Sequence, residues 1–158
     1  VLPYWDHLVR DILGIIRDVD WPKPVKIKFH PTMNWKNYKE MIPEKFTVTN
    51  ESIQTLLFQA FMVAGNSTGV IVEALALGVP VILVNKANSI NHDFMPEIGK
   101  GIIWDRAENE EGVRKLIIKF KKTMGENSTQ LKEEGARIRS FCFSEPTDEL
   151  ISQAFELG

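Results

Sequence analysis

A chain of 158 residues has room for one domain and little more. Nineteen Lys and Arg against 21 Asp and Glu leave a formal net charge of −2, which argues against a protein that coats nucleic acid, since such proteins carry a basic excess. A hydrophobic fraction of 44% excludes disorder over most of the chain, and a single cysteine, Cys142, excludes an internal disulfide and any CxxC metal site.

The first element in chain order is an amphipathic helix over 4–17, with Leu8, Ile12, Ile15 and Ile16 on one side. Trp21-Pro22-Lys23-Pro24 cannot continue it. Val25 to Phe29 alternates as a strand and stops at His30-Pro31. A polar stretch, 32–38, leads to a short helix or turn ended by Pro43. A second strand is expected over 46–49. Ser52 is placed to cap a helix over 53–59. A third strand, 61–64, runs into the loop Gly65-Asn66-Ser67-Thr68-Gly69. A helix over 70–77 follows, with Gly78 as its C-terminal glycine. Strands over 80–84 and 101–104 flank a long polar loop. Helices are then expected at 108–122, 128–140 and 147–155.

Strands alternate with helices, and the third and fourth are almost wholly apolar, as in a parallel sheet covered on both faces. The expected fold is α/β: a Rossmann-like, doubly wound parallel sheet of about five strands with helices on both faces and a helical C-terminus. Residues 1–158 read as a single domain. Because the chain opens on Val1 rather than Met, it reads as a piece of something longer or as a processed chain. Trp5-Asp6-His7 interrupts any leader-like apolar run. The longest uncharged apolar stretch, 74–84, falls short of the roughly 18 residues that span a bilayer. Cys142, between Phe141 and Phe143, reads as a packed thiol in a reducing compartment.

Doubly wound sheets bind ligands beyond the carboxyl ends of their strands, so the residues after each strand matter most. The 65–69 loop leads from a strand into a helix N-terminus, where free N–H groups and a partial positive charge suit an anion. Gly65 and Gly69 allow close approach of the backbone, and the hydroxyls of Ser67 and Thr68 can donate to phosphate oxygens. One of these hydroxyls is equally suited to cap the helix. Glu73 is the one charged residue on an otherwise apolar helix; that helix is expected to be buried, which makes the carboxylate costly unless paired. Glu73 lies about 7–8 Å along the axis from Thr68, within reach of a ribose whose phosphate sits at the helix start. His30, held by Pro31 at a strand end, can donate to phosphate, and Lys28 shares its facing. Ser52 and Asn85 stand after strands as possible accessory groups. His92-Asp93 falls in the long loop and reads as solvated. Arg114, Lys115, Lys119, Lys121 and Lys122 make a basic helix, either a solvated face or one that touches an anionic membrane. No cluster of metal-ligand type is legible.

Lys28-Phe29-His30-Pro31, the 65–69 loop, Glu73-Ala74 and Leu77-Gly78-Val79-Pro80-Val81 together resemble the C-terminal, donor-binding domain of GT-B glycosyltransferases. An HP motif followed by Ser-Thr is similar to bacterial sialyltransferases, polysialyltransferases and CDP-glycerol glycerophosphotransferases. The resemblance covers roughly 25–104. It implies a nucleotide-sugar donor, CMP-, CDP- or UDP-linked, as substrate, with no further cofactor and no metal. It assigns the donor phosphate to His30, Asn66, Ser67, Thr68 and Gly69, and the donor ribose to Glu73. It implies a transferase in bacterial surface polysaccharide synthesis, working in the cytoplasm or at the inner face of the plasma membrane, with peripheral membrane contact through the full-length protein. The acceptor domain that such enzymes carry N-terminally has no room here, so the catalytic base is not assigned and the chain alone is expected to bind donor but catalyse little. Two alternatives stand beside this. Non-hydrolysing UDP-sugar 2-epimerases share the architecture but resemble D-S-G-G where this chain has Gly65-Asn66-Ser67-Thr68. A Rossmann-like module without catalysis is the other.

Overall fold

The computed structural model describes residues 3–66, 68–86 and 95–143. Eleven elements follow in order: α1 (Pro3–Ile16), β1 (Val25–Ile27), a 3₁₀ helix (Trp35–Met41), β2 (Phe46–Val48), α2 (Ile53–Gln59), β3 (Val63–Gly65), α3 (Gly69–Ala76), β4 (Val81–Val84), β5 (Trp104–Ala107), α4 (Glu110–Glu126) and α5 (Ser128–Cys142). Every strand pair is parallel. β1 pairs with β2, and β3-β4-β5 form a second sheet with β4 in the centre.

β4 explains the layering. All four of its residues are buried, as an unbroken apolar strand in a parallel sheet should be. Ile82 and Val84 face a core built with Leu13 and Ile16 of α1 and Val113, Leu116, Ile117 and Phe120 of α4. Val81 and Leu83 face the opposite way, onto Leu57 of α2, Ile71, Ala74 and Leu75 of α3, and Leu131 and Ile138 of α5. Helices therefore cover both faces of the three-stranded sheet. Phe46, Val25 and Ile27 of the smaller sheet pack into the α1/α4 core, so the two sheets share one apolar interior.

The five strands are divided between two sheets, two and three, where a single sheet is expected from sequence. β1 and β2 have only three residues each. β1 stops early because His30 to Met33 closes a turn, His30 O accepting from Met33 N at 2.8 Å, with Pro31 at the position its fixed φ favours. β5 also differs: 101–103 is a turn, and the strand begins at Trp104. Gly99 and Gly101 both take positive φ, +76° and +78°, and the Gly99 carbonyl accepts from the N–H groups of Ile102 and Ile103. The apolar look of Ile102-Ile103 hides that turn. The helix expected over 147–155 lies outside the described residues.

α3 ends as its sequence announces. Gly78, at φ +78°, donates to Leu75 O, and Val79 N donates to Ala74 O: the Schellman pattern. Arg139 of α5 adds a hydrogen bond to Ala76 O at 3.1 Å. α5 approaches this turn through Gly135, where a Cβ would stand 2.7 Å from Gly78 N and 2.9 Å from Leu75 O.

Three sequence expectations about burial and facing are corrected. Glu73 is exposed, because α3 buries only Ile71 and Ala74–Ala76 and leaves its other side to solvent. Cys142 is exposed, because the inward stripe of α5 runs through Leu131, Glu134, Gly135 and Ile138 and does not include the helix end. Lys28 and His30 both lie past the end of β1, so strand alternation gives them no shared facing.

Candidate functional site

The carboxyl ends of β3 and β4 lie side by side, with Gly65 paired to Leu83. Asn66 follows the first and Asn85 the second, and their side chains meet: Asn66 Nδ2 donates to Asn85 Oδ1 at 2.9 Å. Asn85 is buried, and its backbone N–H donates to Ala107 O of β5 at 3.0 Å. The amide pair and this backbone bond together tie three strand ends to one another. Lys86, next in the chain, reaches Asp11 of α1 at 3.2 Å.

From Asn66 the chain enters α3. Thr68 is its N-cap residue, with φ −144° and ψ 163°, yet its side chain makes no capping hydrogen bond. The other N-caps behave differently. Ser52 accepts from Thr55 N on α2, and Asn109 accepts from Gly112 N on α4. The Thr68 hydroxyl is exposed and is not spent on the helix. The first N–H groups of any α-helix find no carbonyl inside it, and here they include those of Gly69 and Val70. Gly69 faces open space, with nothing within 4 Å of where a Cβ would lie. Glu73 stands one turn further along the same exposed stripe. The edge therefore offers a small polar platform, a helix N-terminus and one carboxylate in line.

His30 is exposed, and its contacts are local. Thr32 N donates to Nδ1 at 3.3 Å, and Thr32 Oγ1 lies 2.7 Å from the same atom. A backbone N–H can only donate, so Nδ1 accepts; the neutral ring then carries its proton on Nε2, which is left as an outward donor. Lys28 is half-buried past the strand end. Ser52 is occupied in capping α2, its hydroxyl also 2.8 Å from Thr55 Oγ1. Ser67 and His92-Asp93 lie outside the described residues. The structure thus brings Asn66, Thr68, Gly69 and Asn85 to one edge, with Glu73 above them.

The sequence reading passed over Lys26 and Tyr38, and marked Glu51 only as one of the residues that follow a strand. Lys26 and Glu51 bridge at 2.6 Å across β1 and the end of β2, and that bond, with a second from Thr49, holds the Glu51 carboxyl below its usual range. Burial pushes the Tyr38 hydroxyl up, aided by Asp6; its ring stacks on Phe29 and lies under the Arg10 guanidinium. Only the tertiary pairing of β1 with β2 and of α1 with the 3₁₀ helix makes these contacts visible. A shallow cleft of about 300 Å³ opens at the other, amino ends of β1 and β2, lined by Asp20, Trp21, Lys23 and Lys45 among others. It holds none of the donor-site residues read from sequence. Lys45 is there bonded to Val19 O at 3.2 Å.

Among the described residues no group of three His, Cys, Asp or Glu is placed to hold a metal ion, and no helix is long and apolar enough to cross a membrane. No protein-family model, curated protein or solved structure matches the chain.

Proposed function

We propose that this chain is the donor-nucleotide-binding half of a GT-B glycosyltransferase, its two sheets being parts of one Rossmann-like doubly wound arrangement. The observation that carries the reading is the β3–α3 edge. A parallel strand runs through a polar loop into a helix whose N-cap hydroxyl is unused for capping, beside an amide pair that ties it to the next strand end. Ligands of open α/β sheets bind at such an edge, and a phosphate suits a helix N-terminus. The shared interior of the two sheets supports the doubly wound reading.

In this reading the donor phosphate rests on the N–H groups of Gly69 and Val70, the hydroxyls of Thr68 and Ser67, and His30 Nε2. The ribose runs along the Gly69–Glu73 stripe. As the sugar is displaced from the nucleotide, negative charge grows on the leaving phosphate, and these donors would stabilise it. The acceptor and its base belong to a second domain. The setting is synthesis of a surface polysaccharide from a CMP-, CDP- or UDP-linked sugar.

Thermal-shift titration of the chain against CMP, CDP, UMP, UDP, GDP and ADP tests this. A nucleotide at a hundred times its Kd stabilises by about 2.7 kcal/mol. For a domain of this size that raises Tm by about 5–11 °C. The shift should shrink in Thr68→Ala and in His30→Ala. A preference for uridine would move weight to UDP-sugar transferases and to the epimerases, and a preference for cytidine to the HP/Ser-Thr transferases. No shift with any nucleotide, or one untouched by both variants, would overturn it in favour of a module without nucleotide.

A further inference from the structure

The outer face of α4 carries a pattern that nucleotide binding does not use. Ile118 is 68% exposed, although Val113, Leu116, Ile117 and Phe120 on the same helix are buried. On a helix the surface neighbours of position 118 are 114, 115, 121 and 122. Those positions hold Arg114, Lys115, Lys121 and Lys122. An exposed aliphatic side chain thus stands at the centre of four cations. The acids near them lie outside this box. Arg114 pairs with Glu110 and donates to Asp18 O, with Asp20 and Glu111 also nearby; Lys115 pairs with Glu111 at 3.3 Å and Lys122 with Glu126 at 3.9 Å. Lys119 turns aside to Asp105 at 3.4 Å. Lys121 has no ion-pair partner among the described residues. Exposed pairs of this kind are weak and are readily exchanged for another anion.

We infer that this face docks on an anionic lipid surface, the four cations receiving headgroup phosphates and Ile118 entering the acyl boundary beneath them. The shape of the charge selects the partner. A bilayer presents a negative layer over an apolar one, which is what cations around an aliphatic centre complement. Nucleic acid offers phosphates with no apolar layer, and its bases favour aromatic platforms, which this face lacks. An acidic peptide needs a groove, and a single convex helix provides none. The inference stands apart from the nucleotide reading, since no residue is shared.

The test is co-sedimentation of the chain with vesicles of phosphatidylcholine, with and without phosphatidylglycerol. Binding should require the anionic lipid and fall as salt rises. Each cation removed should weaken partitioning about fivefold, so Lys121→Gln/Lys122→Gln should lose about 25-fold. Ile118→Ser should weaken it further at unchanged charge. These are surface positions, and far-UV circular dichroism checks that the variants stay folded. Equal binding to neutral vesicles, no binding to anionic ones, or binding kept by the double variant would overturn the inference. So would soluble polyglutamate competing fully while Ile118→Ser has no effect, which would point to an acidic protein instead.

Discussion

Replacing Gly135 by alanine tests how α5 sets the position of α3. The added Cβ would stand 2.7 Å from Gly78 N, 2.8 Å from Gly78 Cα and 2.9 Å from Leu75 O. Relaxed contacts between such atoms lie at about 3.5–4.0 Å, so α5 must retreat by close to an ångström. All three obstructing atoms are backbone, and no rotamer change relieves them. Overpacking of this kind costs about 1–3 kcal/mol. Alanine recovers about 0.8–1.0 kcal/mol in helix propensity. With immovable backbone neighbours the cost falls in the upper part of that range, about 2–3 kcal/mol, so the net expectation is a loss of about 1–2 kcal/mol, or about 2–8 °C in Tm for a domain this long. Gly14→Ala is the matched control. Gly14 is exposed on α1, with nothing within 4 Å of its added Cβ, so only the propensity gain applies. It should raise stability by about 0.8–1.0 kcal/mol. Urea unfolding of both variants, followed by circular dichroism, reads the difference. A Gly135→Ala protein as stable as wild type, or a stabilisation matching Gly14→Ala, would refute the close approach of α5 to the Gly78 turn.

Three further outcomes follow from the same geometry. Thr68→Ala should change stability by less than about 0.5 kcal/mol because its side chain makes no capping bond, whereas Ser52→Ala should cost about 1 kcal/mol; equal losses in urea unfolding would show that Thr68 is an ordinary cap. Burial raises the Tyr38 pKa above its ordinary value of 10.0, so the unfolded chain releases that proton first. The stability it contributes is complete below about pH 10 and is lost as pH rises through the folded value. Tyr38→Phe should therefore flatten the alkaline limb of the stability curve relative to wild type, and parallel curves would contradict this. Cys142, exposed at the end of α5, should react fully with a thiol reagent under native conditions; labelling that needs denaturant would return it to the packed position read from sequence.

Local signals determined much of this protein. The span of α2 and its Ser52 cap, Gly78 at the end of α3, and β4 as a strand buried on both faces were all legible, because each depends on the residue and its near neighbours. The loop after β3 stood out for the same reason. Tertiary structure decided the rest. Glu73 looked buried because every neighbour in sequence is apolar, but a short helix turns only one stripe inward, and packing on α5 and the sheet chose Ile71, Ala74 and Leu75. β5 began three residues later than its apolar run suggested, because Gly99 and Gly101 could adopt positive φ and spend Ile102 and Ile103 on a turn. Nothing in the chain says that Asn66 and Asn85 touch. They lie 19 positions apart, and only the parallel pairing of β3 with β4 delivers both amides to one edge. Sequence sets which backbone conformations are cheap and which residues prefer water; which far-apart groups meet is settled by the one packing that buries both faces of the sheet.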